Sequence, residues 1–441
     1  MAERNAYANL LLPELIARWR LTGRDAALAT ELSYGTLRGQ GTYDAVLAIC
    51  SDRALGSLDP VVLQVLRLGT HQLLATRVRS HAAVATAVDL VKEASGQRPA
   101  GFVNAVLRKV ATRDLDSWLE AAAPARAADP VGYLAVRYSH PRWIVEALAA
   151  ALGESGDTTA LSVSPNETEA LLAADGERPL VHVCAVPGLA VQPELVASGC
   201  EAAAWSPFGG YLAEGDPAAI PAVADGRAGV QDEASQLAAI ALTRIEVTGS
   251  DHQWLDLCAG PGGKARLLAG LAGGAGARLL AAERREHRAR LIRPATSCRV
   301  VVADSTHPAW RRGSFDRVLA DVPCSGLGAL RRRPESRWRR TPDDIGGLVA
   351  LQRRLLAAAL DSARPGGVVG YVACSPHLPE TREVVAAVLA ARGDADVLDA
   401  PAALAEVPDL RGDGEASRFA QFWPHRHGTD AIFLALLRRR T

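Results

Sequence analysis

The spacing of apolar positions along this chain changes character twice. Through about residue 125 they recur at three and four, as on one face of a helix. In LDPVVLQVLRLGTHQLL, Val62, Leu66 and Leu73 share a face, with Asp59 as the expected N-cap and Pro60 as the first helical residue. SHAAVATAVDLVKEA repeats the pattern, with Ser80 as cap and Val84, Val88 and Val91 on one face. GFVNAVLRKVA supplies another helix with basic residues near its end, and an all-α bundle is expected over 1–125. AAAPARAADPVG then reads as a linker and SHPRWIVEALAAALG as one amphipathic helix, together 126–157. From 158 to 225 the pieces RPLVHVCAV, LAVQPEL and GGYLAEG are short, strand-like and broken by glycine and proline, which predicts a small α+β subdomain.

Over 226–441 the pattern becomes strand, turn, helix, repeated. HQWLDLCAG, ARLLAAE, RVVVAD, FDRVLADVP and GGVVGYVAC are five apolar strand candidates, most of them separated by helical stretches. This alternation predicts an α/β domain with a mostly parallel sheet covered on both faces. Ligands of such sheets bind beyond the carboxyl ends of the strands. There lie Asp256 and Cys258, Glu283, Asp304, Asp321 and Cys324, and Cys374.

Composition narrows the classes. With 441 residues, 49% of them hydrophobic, the chain can bury a large core, which excludes a disordered protein. Net charge is zero, so a nucleic-acid partner must be held by local basic patches. Lysine occurs only at 92, 109 and 264, which singles out Lys264. Seven cysteines, an odd number with no CxxC pair, argue against a disulfide framework or a zinc site. The start has no basic segment leading into an apolar one, and no apolar run reaches membrane-spanning length. The expectation is a soluble, cytoplasmic monomer without a metal.

In DLCAGPGGKARLL a strand runs through a loop into a helix, and Gly260, Gly262 and Gly263 allow a tight turn and close approach to a ligand. The spacing is neither G-x-G-x-x-G nor a Walker A loop, since Lys264 is followed by Ala265. Glu283 is suited to a ribose diol and Asp304 to an adenine amino group; each acid alone is equally a cap or a solvated turn. Cys324 in DVPCSGLG and Cys374 in YVACSPH end successive strands and would face one crevice. A lone cysteine there is usually a small buried side chain; two at corresponding strand ends are harder to dismiss. One chemistry that joins a thiol, an acid and a nucleoside cofactor is methylation of cytosine carbon 5. A thiolate adds to carbon 6 to make carbon 5 nucleophilic, and an acid at ring nitrogen 3 stabilises the adduct. The residues alone do not choose between Cys324 and Cys374.

LDLCAGPGGK, DVPCSGLGALRRRPESRW, YVACSPHLPETREVV, QDEASQLAA and PHRHGTDAIFLALL together resemble the bacterial ribosomal RNA cytosine-5 methyltransferases of the RsmB (Sun, Fmu) type. LSYGTLRG, HAAVATAVDLVK and GFVNAVLRKV resemble the NusB-like RNA-binding domain that precedes the catalytic half in that type, so nearly the whole chain is covered. The resemblance implies a Rossmann-like S-adenosyl-L-methionine-dependent methyltransferase domain, preceded by an all-α NusB-like domain and a small α+β subdomain. It implies Cys374 as nucleophile and Cys324 as the residue that helps release the product by assisting loss of the carbon 5 proton. Asp321 would contact the base and lie near the cofactor. Cys258, Ala259, Gly260, Pro261, Gly262, Gly263 and Lys264 would form the cofactor loop, with Glu283, Arg288, Asp304 and Asp321 as further contacts. Four positions depart from the pattern: Gly260 for alanine, Ala265 for threonine, Glu283 for aspartate and Ala373 for threonine.

RNA, most simply 16S ribosomal RNA, is the expected partner. RRRPESRWRR, 331–340, holds six arginines beside Trp338, and reads either as a guide for RNA or as a solvated, salt-bridged helix end. Arg108, Lys109 and Arg113 form a second, weaker patch. His425 and His427 read as structural or substrate-side residues. Two alternatives stay open: a transfer RNA substrate, and a non-catalytic RNA-binding or antitermination factor, which would need neither thiol.

Overall fold

The computed structural model describes residues 7–154, 161, 166–292, 298–412 and 414–440. Two compact units emerge: Met1–Arg178 with Leu330–Arg339, and Pro179–Ala329 with Arg340–Thr441.

The first unit is helical, with no strand among its described residues. Its helix Pro60–Ala75 starts on Asp59, whose Oδ1 accepts from Val61 N at 2.8 Å, satisfying one of the first-turn amides. Ser80 is not a cap: it is the first residue of the helix Ser80–Ser95, and Arg79 precedes it without a side-chain cap bond. Val62, Leu66, Val84, Val91, Val103 and Leu107 meet in one core, as their helical spacing requires. In the proline-rich stretch Asp129 Oδ1 accepts from Gly132 N at 2.9 Å and caps the helix Pro130–Arg137. The helix Glu167–Gly176 belongs to this unit.

The segment 330–339 also packs in this unit, and two of its arginines depart from both readings of the run. Arg331 and Arg337 are buried, Arg337 completely. Arg337 donates to the carbonyls of Arg38 (3.1 Å), Ser139 (3.2 Å) and Asp175 (2.5 Å). Arg38 and Asp175 lie at the ends of the helices Gly23–Arg38 and Glu167–Gly176, whose last carbonyls lack partners and favour a cation. Glu335 accepts from Ala8 N at 2.9 Å, and a side chain at Gly41 would strike Trp338. Arg331 and Arg337 are therefore internal, while Arg333 is exposed and Arg332, Arg339 and Arg340 are half-buried.

In the second unit, β1 (Val181–Ala185), β2 (Glu201–Ala202), β3 (Gly209–Leu212) and β4 (Ala228–Val230) form an antiparallel sheet in the order β2-β3-β1-β4. LAVQPEL is not a strand: Gln192–Ala197 is a short helix, with proline and Glu194 in the first turn, where both are favoured. The larger sheet holds β5 (Gln253–Asp256), β6 (Arg278–Glu283), β7 (Arg299–Val302), β8 (Phe315–Asp321), β9 (Ala363–Ala373), β10 (Ala395–Leu398), β11 (Ala420–Gln421) and β12 (Phe433–Arg439). Its order is β10-β12-β9-β8-β5-β6-β7, with β11 paired to β12. The five expected strands are its parallel part; β12 and β10 add an antiparallel edge. Alternate residues enter two cores: Trp254, Leu319 and Val372 one, Leu255, Val318, Ala320 and Tyr371 the other. The chain leaves β5 to either side, so a switch point falls between β5 and β8.

Candidate active site

Asp256, Glu283 and Asp321 are the last residues of β5, β6 and β8, Asp304 lies two beyond β7, and Cys374 directly follows β9. All stand at the carboxyl ends of the parallel strands of the second unit's sheet.

The glycine loop is spread open by the strands beside it. Leu257 N donates to Leu319 O at 2.8 Å and Ala259 N to Ala282 O at 2.9 Å. Gly262 has a φ of +115°, a conformation glycine adopts without strain, and the helix Gly263–Gly274 starts directly after it. The Gly260–Pro261 peptide is cis. Gly260 is needed for space: a Cβ there would lie 2.1 Å from the Glu283 carboxylate. Glu283 accepts from Arg285 N at 2.8 Å, and Arg288 holds the assembly by donating to Gly260 O and standing 3.8 Å from Glu283 Oε2. Asp304 spends Oδ1 on Thr306 N (3.0 Å) and Oγ1 (2.7 Å), which holds its carboxyl below the ordinary range, and turns the other oxygen toward Arg284 at 3.7 Å. Burial, then the charge of Asp321, pushes Asp256 up to about 7. Its Oδ1 accepts from Cys258 N at 3.3 Å, and its buried Oδ2 has no hydrogen-bond partner among the described residues. Cys258 offers a backbone amide here; burial and the surrounding acids drive its thiol far from ionisation. Acids at three successive strand ends over a glycine cradle fit a nucleoside with a positively charged tail.

The next two strands, β8 and β9, carry the two thiols. β8 and β9 run parallel with Asp321 opposite Val372, and Val322 N closes the ladder on Val372 O at 3.0 Å. Pro323, which has no N–H, ends the pairing and lets the chain turn outward to Cys324. Gly326 has a φ of +79°, and Gly328 then passes so close that a Cβ would lie 1.9 Å from Ala431 O. Gly328 N donates to Cys374 O at 3.0 Å and its carbonyl accepts from Ala431 N at 2.8 Å, knitting three loops into one wall. The Cys374 backbone acts directly on the Cys324 thiol.

The surroundings of the two sulfurs differ. Cys324 is pushed up to about 12, first by burial, then by the Glu380 carboxylate, with Asp321 adding to it. Cys374 lies within the field of the Lys264 ammonium, which burial disfavours but which Asp321, Cys374 and Asp256 hold above its ordinary value. Lys264 Nζ donates to Asp321 Oδ2 at 2.9 Å and to Ser235 Oγ at 3.3 Å. The Cys374 thiol points to Asp430 Oδ2 at 3.7 Å, and Asp430 N is held by Asp232 at 3.1 Å. Lys264 was expected in the cofactor loop; the structure turns it toward Asp321. Asp430 and Glu380 went unread as chemistry, although both lie inside quoted motifs.

The remaining candidates fall elsewhere. Arg108, Lys109 and Arg113 are exposed on the helical unit. His427 is buried, its Nδ1 accepting from Trp423 N at 2.9 Å and its Nε2 meeting Pro408 O at 2.9 Å, a structural role. No group of three or more His, Cys, Asp or Glu among the described residues is placed to hold a metal ion. No helix among them is long and apolar enough to cross a membrane.

Residues 244–438 match the family model described as 16S rRNA methyltransferase RsmB/F, and residues 1–112 match that of the NusB family. A Mycobacterium tuberculosis protein named as a methyltransferase, without a stated substrate, is 49% identical over 100% of this chain and 94% of its own length. The ribosomal RNA small subunit methyltransferase B of Pseudomonas putida is 33% identical over 85% of this chain and 84% of its own. Among solved structures, that of PH0851 superposes with a TM-score of 0.77 at 22% identity, covering 97% of this chain and 93% of that one, a likeness of fold.

Proposed function

The chain belongs to the 16S rRNA methyltransferase RsmB/F family, S-adenosyl-L-methionine-dependent enzymes acting on ribosomal RNA, and from that premise we propose that it methylates carbon 5 of a cytosine in 16S ribosomal RNA through a transient bond between Cys374 and carbon 6. The cofactor would lie on residues 258–264, with Glu283, Arg288, Asp304 and Asp321 around it. S-adenosyl-L-methionine supplies the methyl group.

The observation that carries this reading is the electrostatic contrast between the thiols. A nucleophilic cysteine must react as thiolate. Cys324, at about 12, is a neutral thiol at physiological pH, with carboxylates as neighbours. Cys374 has a cation nearby and, in Asp430, an acceptor for its proton. The sulfur pair of Cys374 would form the bond to carbon 6 as the carbon 5–carbon 6 double-bond pair moves to carbon 5, where it takes up the methyl group while the pair of the methyl's former bond stays on the donor sulfur; Asp321, fixed by Lys264, contacts the base. After carbon 5 has gained its methyl group, its proton leaves to water with Cys324 assisting. That pair restores the carbon 5–carbon 6 double bond, and the carbon–sulfur bond breaks with its pair returning to Cys374. A cytosine held in a stem must be unstacked to reach this sulfur. The exposed Arg108, Lys109 and Arg113 are suited to backbone phosphates.

Two variants test the assignment. Cys374→Ala abolishes methylation while cofactor binding survives. Cys324→Ala accumulates a protein–RNA band that resists denaturation. Exchanged phenotypes would reverse the roles. Bisulfite sequencing of ribosomal and transfer RNA from a strain lacking the protein should lose one 16S cytosine signal; loss in transfer RNA alone would overturn the substrate.

A further inference from the structure

We propose that Glu380 is a positioning residue that locks the two cysteine loops in register, so that Cys324 is presented to the Cys374–cytosine bond when that bond must break. The inference rests on the two-thiol reading above.

Glu380 sits in the turn Leu378–Glu380 after β9 and is completely buried. Its Oε1 accepts from Ser325 N at 2.7 Å and from Gln352 Nε2 at 3.1 Å. Its Oε2 accepts from Ser325 Oγ at 2.5 Å and from Ser375 Oγ at 3.0 Å. Ser325 directly follows Cys324, and Ser375 directly follows Cys374. The two hydroxyls also meet each other at 3.1 Å. Gln352 spans the other side of Cys324, donating to Pro323 O at 2.9 Å. Tyr371, inside β9, donates to Glu380 O at 2.6 Å and ties the turn back to its strand. One carboxylate thus grips the residue after each thiol, and its relay grips the residue before Cys324.

A turn at the end of a strand does not need a buried ion. Burying a carboxylate is costly unless each lone pair is used, and an apolar filler of equal volume holds a loop as well. Here burial opposes the charge, yet the His377 ring 3.5 Å from Oε2 and the hydrogen bonds from Ser325 and Gln352 keep Glu380 below its ordinary value, so the site holds it ionised. What the ion adds is direction: four donors from three segments converge on two oxygens. The same charge raises the Cys324 thiol, keeping it protonated and unavailable for attack on the base. Glu380 therefore acts on Cys324 in two ways, by place and by protonation, and touches Cys374 only through Ser375. Loosening it should disturb release before it disturbs attack. Release requires the carbon 5 proton to go to water, its pair to re-form the ring double bond, and the carbon–sulfur bond to break toward Cys374.

The test compares full-length wild type with Ser325→Ala and Glu380→Gln on unmodified 16S ribosomal RNA with S-adenosyl-L-methionine. First-turnover methylation, steady-state turnover and the denaturation-resistant protein–RNA band are measured side by side. A glutamine accepts on one oxygen only, so it leaves two of the four donors without their acceptor. Ser325→Ala is the milder variant, removing one hydroxyl and keeping the backbone bond. Both should keep first turnover within about threefold of wild type, lose on the order of tenfold in steady-state turnover, and accumulate adduct. A loss shared equally by first and later turnovers without adduct, or no loss at all, overturns the role of Glu380. If Cys324→Ala itself accumulates no adduct, the two-thiol reading falls instead; if it does and these two variants do not, only the Glu380 inference falls.

Discussion

Cys324 and Cys374 follow neighbouring parallel strands, β8 and β9, and share one wall of the same crevice, yet the chain treats them as opposites. Cys324 leaves its strand through a proline into a loop gripped by a buried carboxylate, and its thiol is pushed up to about 12. Cys374 follows its strand without interruption and faces the side where Lys264 and Asp430 lie. Equivalent places in a fold therefore do not imply equivalent chemistry. Within a low-dielectric crevice, a cation in reach of a sulfur favours its thiolate: Cys374 has the Lys264 ammonium as well as the Asp430 carboxylate, whereas the charges that raise Cys324 are carboxylates.

Removing that charge is the most direct way to break the contrast. Lys264→Met keeps the unbranched stem to the ε position and deletes the cation beside Cys374, while leaving the Asp321 carboxylate without its 2.9 Å partner. The first-turnover rate near neutral pH should fall about 100-fold, because thiolate formation loses its cation and Asp321 loses its anchor. The sign of the pH effect follows from the charge: without the ammonium, deprotonation needs higher pH, so the rising limb of the rate profile moves to higher pH. Rate profiles from pH 6 to 9 under single-turnover conditions measure this. A uniform drop with no displacement of the limb would mean that Lys264 acts on Asp321 alone.

A second change strikes both cysteines together. Gly328 lies where a Cβ would come within 1.9 Å of Ala431 O and 2.9 Å of the Cys374 carbonyl carbon, and backbone at both contacts cannot step aside as a side-chain tip can. Gly328→Ala should cost about 3 kcal/mol in folding stability, as overpacking of a tight site does, read as a lowered midpoint in urea. Attack and release should slow together, unlike the split expected for Glu380. A variant with unchanged stability would show that the three loops are less firmly knit than their hydrogen bonds suggest.

The distinction between local and distant causes also explains what the sequence made legible. The five parallel strands and the acids at their ends were readable because an apolar run followed by a carboxylate or glycine is a local signal. The helix Gln192–Ala197 was missed because its apolar residues are too few to display a period, and its proline reads equally as a break. Which arginines of the run 331–340 are internal is not legible, because counting charges says nothing of burial. Arg337 is internal, its two terminal nitrogens donating to carbonyls more than 150 residues away in the chain. Glu380 was invisible for the same reason: its significance lies in Ser325, 55 residues earlier. Lys264 was noticed for its rarity, but only the fold shows that it turns toward Asp321 and Cys374.

The smallest effect sharpens the comparison by leaving both sulfurs alone. Gly260 has no positive φ, so its backbone tolerates any residue; what a side chain would meet is Glu283 Oε2 at 2.1 Å. That oxygen is the tip of a flexible side chain, so Gly260→Ala displaces the carboxylate rather than the fold, and stability should hardly change. Cofactor affinity should weaken about tenfold, since a carboxylate moved from its partner loses one charge-assisted hydrogen bond. Shortening the same side chain restores the space: Glu283→Asp added to Gly260→Ala should recover much of that affinity, although Glu283→Asp alone, with a gap beneath it, should weaken binding. Calorimetric titration with S-adenosyl-L-methionine on the four proteins gives the coupling directly. At saturating cofactor the ratio of first-turnover to steady-state rates should match wild type in all four. If it does not, the acids at β5 and β6 reach the thiols through Asp256 and Asp321, and the contrast between Cys324 and Cys374 is set by the whole row of strand ends rather than by Lys264 and Glu380.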